Sequence, residues 1–356
     1  MRELVLAEPI IDASEIRIFD LHEPPSDFPD DARIRYVRGD VRDAEALRKA
    51  AAGADAVIHM AAMVDWGTHP ETTVYAINTG GTKNALEAAR SANATAFVYT
   101  SSLDAVMTGR SQRDVDESLP FPEKPANAYC GSKAEAEKLV MAADAADARG
   151  TVAAAGAMRT TVIRPSSVWG EGDPYHISAL LELARKKTYV RIGDGTAVQQ
   201  HVYSGNLARA HLLACRELLE ASAEGREPRC AGRPYFVTDS APENFFRFFD
   251  RIVEASGYPI VPKNAWIPRD VMLAAGAVSE SLAWMLRPFV HWNPKVSRFA
   301  VNYTCSDFTF TAGAAERDFD FEPKYGLDEA VGLTADWFRE RGPVRPPDIP
   351  SFPQDS

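Results

Sequence analysis

The chain has 356 residues, 46% of them hydrophobic and 25% charged, with a formal net charge of −11. That length supports a substantial core, in one large α/β domain or two smaller ones. The acidic balance excludes general nucleic-acid binding, which needs a basic footprint to displace counterions. Cys130, Cys215, Cys230 and Cys305 form no CxxC pair and no ligand cluster with the seven histidines. No metal site is expected, and isolated thiols fit a reducing compartment.

Residues 1–20 carry acids and a proline, so they do not read as a secretory signal. Residues 1–12 have a helical pattern. A strand over 15–19 ends at Asp20, a Pro-rich loop covers 23–29, and a second strand covers 34–37. A helix over 44–51 precedes Ala56-Val57-Ile58-His59, whose nearly unbroken apolar character suits a strand buried on both faces. Then come a helix over 84–92, a strand over 96–100, a helix over 133–146 and a strand over 160–163. This alternation implies a doubly wound parallel sheet with helices on both faces.

Beyond Gly170 the rhythm breaks. Gly193-Asp194-Gly195 is a turn, 206–220 a helix and 234–237 the last sheet strand. The aromatic-rich remainder implies a smaller mixed lobe, and a Pro-rich tail from Gly342 reads as a poorly ordered extension. Over 268–286, Val271, Ala274, Ala275, Val278, Leu282, Met285 and Leu286 recur at helical spacing. Arg269, Asp270 and Glu280 interrupt this stretch, which falls short of the ~20 apolar residues of a spanning helix. Core packing is the preferred reading of the stripe, and a helix lying on a bilayer the other.

Asp20, closing a strand, is placed to accept hydrogen bonds from both adenosine ribose hydroxyls and to repel a 2′-phosphate, a preference for NAD. An acid after a strand is also a common turn former. Gly39-Asp40-Val41-Arg42-Asp43 follows the next strand, where Asp40 can accept from the adenine amino group while Val41 covers the ring. A glycine-rich phosphate loop belongs about 20 residues before Asp20, yet the first glycine is Gly39. The sequence is therefore expected to start after that strand and loop, with NAD binding depending on their restoration.

The strongest catalytic signal is Tyr129-Cys130-Gly131-Ser132-Lys133, which puts a phenol and an ammonium on one helix face. A nearby ammonium favours phenolate, making Tyr129 a usable base. Thr100-Ser101-Ser102 follows a strand, at the sheet edge where ligands of such folds bind, and a hydroxyl there can orient an alcohol. Ser102 is preferred and Ser101 is the fallback. Asn78, within Asn78-Thr79-Gly80-Gly81-Thr82-Lys83-Asn84, can hold a proton-relaying water or simply cap the helix.

These motifs, with Val57-Ile58-His59-Met60-Ala61-Ala62 and Arg164-Pro165-Ser166-Ser167-Val168-Trp169-Gly170, resemble the extended short-chain dehydrogenases/reductases from residue 15 to about 341. Trp169 stands where that family's tyrosine would be. Tyr99-Thr100-Ser101-Ser102-Leu103-Asp104, His201-Val202-Tyr203-Ser204-Gly205-Asn206-Leu207-Ala208 and Gly232-Arg233-Pro234-Tyr235-Phe236-Val237-Thr238-Asp239 resemble its 3β-hydroxysteroid dehydrogenase branch. Ser204-Gly205 departs from the branch's Val-Asp, which weakens a helix cap. The resemblance implies a Rossmann-like fold and NAD-linked oxidation of a 3β-hydroxyl. Tyr129 would be the base, Lys133 the group depressing its pKa, and Ser102 the alcohol's anchor, with Asn78 in support. Asp20, Asp40, Val41, Ala61, Ala62, Tyr129, Lys133 and Pro165 would hold the cofactor.

Residues 1–170 with 200–240 are expected to form the NAD-binding domain, 171–199 with 241–341 the substrate lobe, and 342–356 the tail. The lobe's Phe245, Phe246, Phe248, Phe249, Trp266, Trp284, Phe289 and Trp292 suit a small apolar, steroid-like partner, and suit plain core as well. A cytoplasmic protein, a peripheral membrane contact through 266–292 and a homodimer complete the expectations. Two rivals stand. A nucleotide-sugar epimerase or dehydratase would use Lys186, Lys187 and Arg191 against a diphosphate, and a cofactor-free relative would be a regulator or lipid-binding module.

Overall fold

The computed structural model describes residues 10–24, 28, 30–65, 67, 69–144, 157–262, 264–286, 297–311 and 313–346. Two parallel blocks of strands form the centre. β1 (Ile16–Asp20) pairs with β2 (Ile34–Arg38). β3 (Ala56–His59), β4 (Ala96–Thr100), β5 (Arg159–Pro165) and β6 (Pro234–Val237) form a sheet in the order β6-β5-β4-β3. Among the described residues no strand pairs joins β1 to β3. Ile10 and Ile11 pack there with Ile16 and Ile58 against Ala208 and Leu212. Of the helix expected over 1–12, residues 1–9 lie outside the described residues, and 10–12 are not helical.

Besides short helices at Glu71–Tyr75 and Gly313–Phe319, the helices include α1 (Ala44–Ala51), α2 (Gly81–Ser91), α3 (Ala128–Ala143), α4 (Ile177–Arg185), α5 (Ser204–Glu224), α6 (Phe245–Ala255), α7 (Arg269–Leu286), α8 (Arg298–Thr304) and α9 (Leu327–Arg341). α1 starts where Asp43 Oδ1 accepts from the amides of Glu45 and Ala46, both at 3.0 Å. α5 has no side-chain cap at Tyr203, as its Ser-Gly start implies, and ends at Gly225 with φ of 66°. The doubly wound arrangement follows from β4. Phe97 and Tyr99 join Leu86, Ala89, Ala136 and Val140 on one face. Ala96 and Val98 join Ala210, Ala214 and Leu218 on the other. A period of two in the side chains thus feeds two separate cores.

Trp169, Tyr189, Tyr203, Phe245, Phe248, Phe249 and Phe338 pack into a separate cluster, which takes residues from both of the expected domains. Phe245, Phe246, Phe248 and Phe249 are therefore core, on the buried side of α6. Phe289 and Trp292, like the Trp284 side chain, fall outside the described residues. The apolar stripe of α7 overturns the expectation of core packing. Val271, Val278, Leu282 and Met285 are 56%, 61%, 42% and 62% exposed. α7 packs instead through Gly276, where an added Cβ would meet the Arg298 amide nitrogen at 2.9 Å. No helix among the described residues is long and apolar enough to cross a membrane. The tail's described part is engaged: Val344 N donates to Ser178 Oγ at 3.1 Å.

A buried ion pair ties α3 to β5. Arg164 Nη2 donates to Glu137 Oε1 at 2.6 Å, and Ser101 Oγ donates to Glu137 Oε2 at 2.6 Å. Both charged residues are almost fully buried. Removing one partner strands the other without solvent, which costs about 3–5 kcal/mol. Glu137→Ala should lower folding stability by that amount in urea denaturation. An unchanged midpoint would mean that the guanidinium finds another partner.

Candidate active site

α3 begins at Ala128 because Asn127 Oδ1 accepts from the Cys130 amide at 2.9 Å. This is five residues earlier than the sequence pattern suggests. The early start brings Tyr129, Lys133 and Glu137 onto one face at successive four-residue steps. All three are buried. Gly131 lies between the first two, and the Tyr75 hydroxyl lies so close that an added Cβ would meet it at 2.2 Å.

The C-terminal edge of β4 meets that face. Ser101 and Ser102 point to different partners: Ser101 to Glu137, and Ser102 to Asp104, whose Oδ2 accepts from Ser102 Oγ at 2.9 Å. Burial pushes the Tyr129 phenol well above its ordinary range, and the Asp104 carboxylate pushes it further. The Ser102 hydroxyl, as a hydrogen-bonding neighbour, works in the opposite direction. Lys133 Nζ donates to the Thr100 carbonyl at 2.6 Å and stands 4.5 Å over the Tyr99 ring. Burial pulls this ammonium down to about 7, against the pull of Glu137 and Asp104. The expected depression of the phenol by Lys133 is not found: burial and Asp104 dominate, and the one group that lowers the phenol is Ser102.

Asp104, to which the sequence reading gave no role, is the centre of this electrostatics. Burial raises its carboxyl to about 6, while Ser102, His176 and Lys133 oppose the rise. Its Oδ1 is buried with no hydrogen-bond partner. The signal was a carboxylate two positions after the chosen serine. Glu137 was equally legible, one turn beyond Lys133.

Asn78 lies inside a π-helical turn, Ala76–Gly80, rather than at a helix start. Its Oδ1 accepts from Met63 N at 2.7 Å, and its Nδ2 donates to Met63 O at 3.0 Å and Ser132 Oγ at 2.9 Å. The capping alternative is thus replaced by a clamp between the end of the β3 loop and α3. The Asn78 carbonyl accepts from Thr82 Oγ1 at 2.6 Å.

Met63 leads into a cleft of about 780 Å³, also lined by Asp20, Asp40, Val41, Ala61, Ala62, His69 and Pro346. Asp20 is half-exposed, with Oδ1 accepting from His22 N at 2.9 Å. Asp40 is committed to Arg42, whose Nη2 donates to Oδ2 at 2.7 Å, so an adenine amino group would share an occupied carboxylate. Pro165 ends β5 opposite Val237 and does not line this cleft; nor do Tyr129 and Lys133. The diphosphate candidates do not converge. Arg191 is paired with Asp250 at 2.6 Å, while Lys186 lies on the surface near Glu182 at 3.6 Å. Lys187 is exposed beside it.

The 3-beta hydroxysteroid dehydrogenase/isomerase family model matches residues 1–266. Short-chain dehydrogenase/reductase family 42E member 1 of Xenopus laevis is 29% identical over 91% of this chain and 82% of its own length. The 3beta-hydroxysteroid-dehydrogenase/decarboxylase isoform 1 of Arabidopsis thaliana is 31% identical over 86% of this chain and 67% of its own. Among solved structures, a dTDP-glucose 4,6-dehydratase from Streptomyces venezuelae, with NAD bound, superposes with a TM-score of 0.67 at 20% identity. That match covers 95% of this chain and 92% of that one, and shows the shared Rossmann-like fold. A UDP-glucose 4-epimerase from Thermotoga maritima gives 0.65 at 17% identity, covering 95% and 94%. By the extent of the family match and the identity to the Arabidopsis relative, this chain belongs to the 3-beta hydroxysteroid dehydrogenase/isomerase family.

Proposed function

We propose that the chain oxidises a secondary alcohol, the 3β-hydroxyl of a steroid or a similar apolar compound, with NAD as the hydride acceptor. The observation that carries this reading is the convergence of Ser102, Tyr129 and Lys133 where β4 ends against α3. The residues of the large cleft offer groups for the adenosine half of the cofactor. Asp20 presents a half-exposed carboxylate suited to two ribose hydroxyls and hostile to a 2′-phosphate. Val41, Ala61 and Ala62 supply apolar walls. Bound there, NAD supplies the carbon that accepts the hydride.

The chain's own groups handle the proton. Ser102 anchors the alcohol oxygen, and Tyr129 takes the hydroxyl proton as the C–H bond gives up its electron pair. Lys133, held by the Thr100 carbonyl, is the cation that compensates the negative charge left in the site. Asn78 fixes Met63 and Ser132, and so sets α3 against the cleft wall.

An apolar substrate is favoured because Arg191 is already neutralised by Asp250 and Lys186 faces solvent. The names of the Arabidopsis relatives point the same way. The exposed stripe of α7 supports a peripheral contact with an apolar surface. Displacement of a 3β-hydroxysteroid by UDP-glucose would instead favour the nucleotide-sugar reading.

Tyr129→Phe should reduce alcohol oxidation by about a hundred- to ten-thousandfold and leave NAD affinity nearly unchanged. NADH absorbance and calorimetry read the two; equal loss of both would make Tyr129 structural. The acid limb of the pH–rate profile tests Asp104. Its carboxylate raises the phenol's pKa, so Asp104→Asn removes that charge and Tyr129 ionises at lower pH. The midpoint of kcat/KM against pH should move to lower pH. A move to higher pH would show that the carboxylate assists deprotonation.

A further inference from the structure

Thr100 closes β4, and its side chain and its carbonyl have partners on different helices. The alternation that turns Ala96 and Val98 towards α5 turns the Thr100 side chain the same way. There its Oγ1 lies 2.6 Å from His211 Nε2. The last register pair of β4 with β3 joins Tyr99 to His59. The Thr100 carbonyl, one residue on, accepts instead from Lys133 Nζ of α3 at 2.6 Å. Ser101 N, in the same peptide unit, donates to Ile163 O at 2.7 Å. One strand-end residue thus links a helix on one face of the sheet to the ammonium held from the other.

The chemistry of each link fixes its polarity. His211 is almost fully buried, and burial pulls its imidazole down to about 4, so the ring carries no charge near neutrality. Its Nδ1 lies 2.8 Å from the Leu207 carbonyl, one turn back along α5. A carbonyl only accepts, so Nδ1 carries the ring proton and Nε2 is the acceptor. Thr100 Oγ1 therefore donates to His211. Leu207 accepts from His211, His211 from Thr100, and Thr100 from Lys133. A β-branched side chain is already stiff, and a committed hydroxyl holds it in one rotamer. The peptide unit whose oxygen meets Lys133 is held with it.

We propose that His211 is a positioning residue for the alcohol oxidation: through Thr100 it fixes the carbonyl on which the Lys133 ammonium rests. This role rests on the oxidation reading, in which Lys133 compensates the negative charge formed in the site. The other groups around the ammonium do not act through Thr100. They are Tyr129 and Glu137 of α3, Asp104 after β4, Tyr99 of β4 and His59 of β3, whose imidazole burial pulls down to about 3.

Glutamine and asparagine at position 211 separate the two ring nitrogens. A glutamine amide oxygen reaches the place of Nε2 and can accept from Thr100, whereas an asparagine reaches only the place of Nδ1. NMR of the full chain should show the His211 ring proton on Nδ1; a proton on Nε2 would overturn the proposal. The Lys133 side chain, identified by the signal lost in Lys133→Arg, should titrate at lower pH in Thr100→Val and His211→Asn, because its ammonium loses a fixed acceptor. In His211→Gln it should titrate as in wild type. With pregnenolone and saturating NAD, kcat should fall roughly ten- to a hundredfold in Thr100→Val and His211→Asn, with KM little changed. His211→Gln should keep most of the rate. Thr100→Val retains the shape of the side chain and decides the matter if a variant at 211 does not fold. Equal losses in His211→Gln and His211→Asn, or an unchanged Lys133 titration in Thr100→Val, would overturn the positioning role. Shifted Lys133 titrations, with no NADH formed by wild type, would uphold the link from His211 to Lys133 and defeat the oxidation reading.

Discussion

Three ionisable side chains on one buried helix face set the terms for the rest of the molecule. Tyr129, Lys133 and Glu137 follow one another at four-residue steps along α3, and each has been taken out of water. A buried polar group without a partner costs several kcal/mol, so each position demands an answering group from the sheet. β4 answers with the Thr100 carbonyl for Lys133 and with Ser102 for Tyr129, while β5 answers with Arg164 for Glu137. Ser101 turns to Glu137 instead of the site, which leaves its neighbour to face the phenol. Alternation along an extended chain thus becomes a division of labour between two serines.

Much of this was legible in the sequence. The strands at 56–59, 96–100 and 234–237 stand where the apolar runs placed them, because buried parallel strands have little choice of composition. The helix carrying Tyr129 and Lys133 was legible in kind but not in its start. Asn127 caps it by a local side-chain bond that a search for apolar periodicity passes over. The π turn around Asn78 was not legible, since its cause is tertiary: an amide clamping Met63 while reaching Ser132. The stripe of α7 has the periodicity of a core helix and yet faces outwards. Periodicity reports that a face is apolar, not what covers it.

The region over 245–249 shows how composition and role separate. Its aromatic density suits a substrate pocket, but core is the preferred reading, and the fold places it in the core around Trp169 and Tyr189.

The electrostatics of the centre follow from burial more than from pairing. Desolvation raises the Tyr129 phenol, raises Asp104 to about 6 and lowers Lys133 to about 7, each towards its neutral form. Desolvation therefore holds the charges of a phenolate–ammonium pair in check. The groups that oppose it are local: Ser102 at the phenol, and Glu137 and Asp104 at the ammonium. Asp104 occupies both sides of this balance. Its charge favours the ammonium and disfavours the phenolate, so one carboxylate couples the protonation of Lys133 and Tyr129. Negative charge on the Tyr129 oxygen is thus favoured by Ser102 and opposed by Asp104. Burial of the Asp104 carboxyl, by favouring its neutral form, works against that opposition.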